Sequence, residues 1–393
     1  MSGDYPPTRL QQPEIVPEHL QYVDRMRASS YRKYVICEDL AEGRMSLIYA
    51  VCLRYSQTRG PAYALKKKLR QNKDNKLSNT ERAEIHALKV LRNERYVISL
   101  IDLVKLPCKK AIVMELAVID MATVARKKKH IMITDKEKKT IMYQFMRGVY
   151  AIHKNGLIHR DIKLSNLLIM ANGILKVSDF GDSTPHASAL KEKKLSPHVG
   201  STYYKAPEVL FGDEQYNEKV DIWAMGCSMI ELYTRRIYFE ASNKTNRSQL
   251  EEIMKVVGYF NPREWPYLTT LKWYAHFHRL FGTLAIDNSH DIAMDITGED
   301  EVASNYLCGL LAKYPFLRPN ARYALRHRFM RGRGPNVKTL LARLNEPEKK
   351  PSSSSSSSDE EENEEGAEGP EGAEGEVEKF VKGAEGGGEE KTV

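Results

Sequence analysis

Apolar and polar positions from Tyr34 to Leu116 follow one another in short runs: Tyr34 to Leu40, Leu47 to Arg54, Ala62 to Lys68, Ser99 to Leu106 and Ala111 to Leu116. Runs of that length, too brief for helices, predict β-strands. Between the third and fourth, Asn79 to Arg92 places Ile85, Leu88 and Leu91 on one helical face. The first part of the chain therefore reads as a small, mostly antiparallel sheet with one main helix. After Asp120 the spacing lengthens. Asp135 to Asn155 sets Ile141, Phe145, Val149 and Ile152 at helical intervals, and Val220 to Tyr233 is a mostly apolar helix around Trp223, suited to burial. Tyr306 to Met330 carries two further short helices. The expected fold class is α+β, with a sheet-bearing part at about 34–117 and a larger, mainly helical part at about 118–332.

The two ends of the chain differ from this middle. Residues 1–33 are rich in proline and polar groups, with one short helical pattern near Glu18 to Ala28, and read as a partly disordered extension. Beyond residue 332 the composition shifts to a serine run, Ser352 to Ser358, then acidic sequence with Gly-Ala-Glu-Gly at Gly366, Gly372 and Gly383. Such sequence buries too little apolar area to offset chain entropy, so 333–393 is expected to be a disordered tail.

Charge sharpens that division. The formal net charge of +8 is the sum of +19 over residues 1–350 and −11 over Pro351 to Val393. Basic runs at Lys66 to Lys68, Arg126 to His130 and Lys136 to Lys139 read first as solvated faces, and second as attraction to acidic protein substrates or to the tail. No aromatic interleaving accompanies them, so nucleic acid is not expected as a partner. The five cysteines are scattered without metal-ligand spacing and read as free thiols in a reducing compartment. The longest apolar stretch, Ala111 to Ala125, is broken by Glu115 and Asp120 and is too short for a bilayer. An intracellular protein, cytoplasmic or nuclear, with no membrane segment is expected.

The candidate chemistry lies in three ordered motifs. His159-Arg160-Asp161-Ile162-Lys163-Leu164-Ser165-Asn166 is followed by Asp179-Phe180-Gly181 and then by Ala206-Pro207-Glu208. An aspartate able to take a hydroxyl proton, a lysine able to neutralise a phosphate and two hard oxygen donors for Mg2+ are the parts that phosphoryl transfer from ATP requires. On these motifs, residues 34–332 resemble the eukaryotic serine/threonine protein kinases, a two-lobed fold. Val209-Leu210-Phe211-Gly212, the stretch from Gln249 to Pro266 and Ala324 to Phe329 are most similar to the cyclin-dependent and mitogen-activated branch.

The resemblance implies a role for each matching position. Asp161 would be the catalytic base, with Lys163 beside it, and Asn166 and Asp179 the Mg2+ ligands. Lys66 in Ala64-Leu65-Lys66 would hold the ATP phosphates, oriented by Glu84. Met114 would back the adenine pocket, and Glu115-Leu116-Ala117 would form the hinge that pairs with adenine. The glycine-rich loop aligns with Ala41-Glu42-Gly43-Arg44-Met45-Ser46-Leu47-Ile48, where Ala41 and Ser46 stand in place of glycines, so weakened ATP binding is expected. Ser201 would brace the catalytic loop, which with Lys163 points to serine or threonine as acceptor. Arg160 would meet a phosphate on Ser196, but Ala83 and Thr184 replace the family's two further arginines, so only modest dependence on that phosphate is expected. Glu208 should pair with Arg318, Asp221 should bond the backbone near His159 and Arg160, and Leu88, Phe180 and His159 should stack to join the lobes. Lys205 and Gly200 depart from the branch's usual residues, which puts proline preference in doubt. The helix around Glu84 lacks the usual cyclin-binding string, so no cyclin is expected. Two other readings stay open: a pseudokinase that binds nucleotide weakly and acts as a scaffold, and a basic module associated with nucleic acid.

Overall fold

The computed structural model describes residues 33–42, 46–55, 60–68, 77–105, 110–186, 194–277 and 287–346. Five antiparallel strands form the first sheet: β1 (Tyr34–Glu42), β2 (Ser46–Leu53), β3 (Tyr63–Lys68), β4 (Leu100–Lys105) and β5 (Lys110–Glu115), in the order β1-β2-β3-β5-β4. β3 lies centrally, and the register sets Lys66 between Ile48 and Ile112. Leu65 and Val113 are buried on one face with Val51. Lys66, next in sequence to Leu65, therefore stands on the opposite face, as strand alternation demands. Helix α1 (Asn79–Val90) begins at a capping box, in which Ser78 and Glu81 satisfy each other's backbone N–H groups. It buries Glu84, Ile85, Ala87 and Leu88.

The larger part is helical. α2 (Asp135–Lys154) also opens on a capping box, Thr134 with Glu137, and buries Ile141, Phe145, Val149 and Ile152 as their spacing predicts. Gly148 lets α2 approach closely, because a Cβ there would lie 2.5 Å from Val177 and 2.8 Å from the Tyr96 carbonyl. A short strand pair, β7 (Leu157–Ile158) with β10 (Thr184–Pro185), and a three-stranded sheet of β6 (Ile119–Asp120), β8 (Leu167–Ile169) and β9 (Leu175–Val177) carry the motif loops. Behind them come α3 (Pro207–Leu210), α4 (Lys219–Thr234), α5 (Asn246–Val257), α6 (Ser289–Thr297) and α7 (Glu301–Leu310). α4 is buried along most of its length, around Trp223. Its mean composition is apolar on every side, the pattern of a core helix.

Residues 333–346, read from sequence as the start of a tail, are instead packed on this part. Val337 and Leu340 are fully buried, and α8 (Lys338–Leu344) is tied to α2 through Glu137. Glu137 accepts Thr339 Oγ1 at 2.8 Å and Arg343 Nη2 at 2.6 Å while still capping α2. Val337, Leu340 and Leu341 supply an apolar stripe that the nearby charges mask in the sequence. Residues 1–32 and 347–393 lie outside the described residues, as does the expectation that each is disordered.

Candidate active site

Lys66 and Asp179 are 113 residues apart, yet Lys66 Nζ meets Asp179 Oδ1 at 2.8 Å and Glu84 Oε1 at 2.7 Å. Burial alone would lower the Lys66 pKa, but the two carboxylates outweigh it and hold the ammonium protonated. Burial likewise would raise Asp179, and the Lys66 charge reverses this to keep the carboxyl below its ordinary value. Glu84 is buried on α1, and the Asp179 side chain remains 46% exposed. Two strand-borne and helix-borne groups are thus locked, with one open carboxylate facing them.

The loop after β7 provides the second cluster. Asp161 Oδ2 accepts Lys163 Nζ at 2.6 Å and Asn166 Nδ2 at 3.1 Å, and Asp161 Oδ1 accepts the Ser201 amide at 3.0 Å. Lys163 also donates to Ser201 Oγ at 2.7 Å, so Ser201 meets both residues of the loop. Asn166 turns its amide N–H to the Asp161 carbonyl at 2.8 Å, which leaves its side-chain oxygen as an acceptor. Ser178 bonds the Asn166 carbonyl through its amide and its hydroxyl, and so sets Asp179 beside Asn166. An amide oxygen and a carboxylate are both hard donors, a set that suits Mg2+ when phosphate and water complete its shell. Among the described residues no cluster of three or more His, Cys, Asp or Glu could hold a metal by itself.

The frame beneath these groups is buried. Asp221, fully buried, accepts the amides of His159 (2.9 Å) and Arg160 (2.8 Å) and the His153 ring at 2.8 Å. Burial pushes its pKa up and the His153 contact more than offsets this. His159 packs edge-on to Phe180, ring centroids 4.9 Å apart, and Leu88 is buried in the same core. Arg318 donates to both Glu208 oxygens, at 2.6 and 2.9 Å.

Other expected positions fall as follows. Ala64 pairs with Met114, which is buried; Glu115 ends β5; Leu116 and Ala117 follow outside any strand. The Glu115 carboxylate accepts Lys176 Nζ (2.6 Å) and the Ser99 amide (2.8 Å), both at Oε1, and its own amide donates to the Ser99 carbonyl at 3.3 Å. Ala41 and Ile48 pair across β1 and β2, with Ser46 opening β2; Gly43 lies outside the described residues. Arg160 was expected to await a phosphate, but its guanidinium is already engaged. It donates to the Asp182 carbonyl (2.6 Å) and to Tyr216 Oη (3.0 Å), and Tyr216 donates to the carbonyl of exposed Ser196 at 2.7 Å. Asp182 and Tyr216 were not singled out in the sequence. Asp182 also accepts the Gly200 amide at 3.0 Å, and its place directly after Asp179-Phe180-Gly181 was the one signal available.

Residues 34–330 match the protein kinase domain family. The chain belongs to that family. Among curated relatives of this kinase, cyclin-dependent kinase 20 of Homo sapiens is 31% identical over 245 residues, covering 62% of this chain and 68% of the relative. Cyclin-dependent kinase 7 of Dictyostelium discoideum is 31% identical over 246 residues, covering 62% and 67%. A solved structure of the CAK complex of Chaetomium thermophilum bound to ATP-gamma-S is similar at TM-score 0.68 and 27% identity, covering 80% of this chain and 94% of that one. The yeast RNA Pol II CTD kinase CTDK-1 complex shares the fold at TM-score 0.65 and 23% identity, covering 82% and 96%. The relatives are thus cyclin-dependent kinases, and their names run against the expectation that a cyclin plays no part. No helix among the described residues is long and apolar enough to cross a membrane.

Proposed function

We propose that this kinase transfers the γ-phosphate of ATP to serine and threonine hydroxyls of protein substrates, with Asp161 as the base. The observation that carries the reading is the joined cluster of Asp161, Lys163, Asn166 and Ser201, together with the Lys66–Glu84–Asp179 trio. An incoming hydroxyl donates its proton to Asp161, its oxygen forms the bond to the γ-phosphorus, and the bond to the leaving ADP oxygen breaks. Lys163 shields the charge gathering on the transferred group, and Lys66 fixes the phosphates behind it. Asn166 and Asp179 would hold Mg2+, which supplies charge neutralisation on the phosphates. A base so positioned contributes about 10²- to 10⁴-fold.

The cyclin-dependent relatives and the Lys163–Ser201 contact support serine and threonine as acceptors. The Lys66–Glu84 pair is closed in the single chain, which supports activity without a second subunit. The scaffold reading rests on Ala41 and Ser46 where the family carries glycine, and the intact charged set opposes it. The deciding experiment measures autophosphorylation and generic-substrate phosphorylation by wild type and Asp161→Asn, each with and without candidate partner chains. Loss of incorporation in the variant is expected. Equal incorporation in both would mean a contaminating kinase and would put the scaffold reading first.

A further inference from the structure

We infer that Arg126 selects substrates carrying an anionic side chain, carboxylate or phosphate, close to the acceptor hydroxyl. The inference rests on the kinase reading above and names the substrate class for that same site. Arg126 sits in a π-helical turn, Thr123–Lys127, directly after β6. Its Nε meets Glu231 Oε1 at 3.2 Å, and Glu231 Oε2 accepts Tyr204 Oη at 2.6 Å. Tyr204 is three residues beyond Ser201, the residue bonded to both Asp161 and Lys163. A short chain of contacts thus links Arg126 to the group that would receive the substrate proton.

The geometry differs from that of a structural ion pair. Arg126 Nε approaches Glu231 as an ion pair without a hydrogen bond, and its two amino groups make no hydrogen bond to any described residue. The side chain is 38% exposed, whereas Glu231 is 1% exposed. A guanidinium with both amino groups open presents the fork that binds carboxylate or phosphate through two parallel bonds. Glu231 Oε2 accepts Tyr204 Oη, Oε1 has only the Arg126 ion pair and no hydrogen bond, and the side chain is 1% exposed, so it offers a basic substrate residue no surface carboxylate. Asp120, the other acid nearby, is occupied by the amide and hydroxyl of Thr123, at 2.8 and 2.7 Å.

The turn is also held in place, so the cation is presented in a fixed position. Arg235, left-handed at the end of α4, donates to the carbonyls of Ala125 (2.7 Å), Val124 (3.0 Å), Lys128 (2.9 Å) and Ile131 (3.0 Å). Exposed Lys127 and Lys129 follow Arg126 in the sequence, and Lys244 lies 5.8 Å from the Tyr203 ring beside Tyr204. All of these charges are of one sign. An anionic residue entering this face meets cations and no free acid from the turn.

The test uses the full chain and a set of serine peptides identical except for Ala, Lys, Asp or phosphoserine at each of the positions around the acceptor. The kcat/KM of wild type is expected to be about tenfold higher for Asp or phosphoserine than for Ala at one position, and lowest for Lys. The difference between the Asp and phosphoserine arms identifies which anion is used. In Arg126→Ala the ratio should fall to about one, and in Arg126→Lys part of it should return. The wild-type ratio should also shrink with added salt, because the site is partly exposed; this readout needs no variant. Equal rates on all wild-type peptides would overturn the inference. So would an Arg126→Ala enzyme slowed by the same factor on every peptide, since that would make Arg126 a support for Glu231 alone. Failure of the kinase reading looks different: no peptide would be phosphorylated above the level of Asp161→Asn.

Discussion

Two ion pairs of nearly equal length lie in different parts of this kinase. Lys66–Glu84, at 2.7 Å, spans β3 and α1, and Arg318–Glu208, at 2.6 Å, lies at the base of the helical part. The difference is in how far the cation is used. Arg318 is fully buried and gives its remaining donors to the Ala312, Lys219 and Lys313 carbonyls while covering the Trp223 ring at 5.1 Å. Lys66 meets a second carboxylate, Asp179, which is itself half exposed, and keeps donor capacity toward the cleft. A cation with every donor filled by its own fold supports structure. One held by two acids and left partly open can accept a phosphate.

The contrast can be broken most forcefully at Arg318. Arg318→Ala leaves Glu208 buried and unpaired, so a denaturant melt should show about 3–5 kcal/mol lost; a loss below about 1 kcal/mol would contradict the structural role. Lys66→Met should instead lower phosphorylation about 10²- to 10³-fold, with a smaller loss in the melt than Arg318→Ala because one of the two carboxylates it leaves, Asp179, is half exposed. If its melt fell as far as that of Arg318→Ala, the two pairs would not differ as argued. Acid should spare the cleft. The Asp179 carboxyl is held below its ordinary value, so its contribution is complete above the unfolded value of about 3.9 and is lost only as pH falls through the lower folded value. ATP affinity should therefore not decline between pH 7 and 5 through this group. A decline abolished by Asp179→Asn would show otherwise. The smallest effect is expected from Ser196→Ala, less than about threefold in activity, because Tyr216 already bridges Arg160 to the Ser196 backbone.

The charged positions of the cleft were readable because their spacing is tied to short, ordered motifs, and Lys66, Glu84 and Asp179 meet as those motifs imply. The strands were readable from the shortness of their runs, to within a residue or two at each end. What escaped were partnerships made at long range by residues with no motif. Tyr216 bridging to Arg160, Arg126 against Glu231, and Glu137 serving both as a cap and as the anchor of α8 are examples. Each of these side chains is unremarkable locally and acquires its partner only from packing. The packed end at residue 346 was missed for the same reason, since three apolar residues among charges carry little periodic signal.

Arg160 and Asp179 share one further property: both are non-glycine residues in the left-handed region, with φ of 68° and 61°. Such conformations cost about 1–3 kcal/mol each and last only while their surroundings enforce them. Asp221 enforces the first by gripping two consecutive amides, and Lys66 restrains the second. The backbone leading into Asp161 is therefore a wound segment whose latch is a carboxylate buried in a helix below, out of reach of any nucleotide. Altering that latch should disturb the chemistry while every side chain that touches substrate stays as it was.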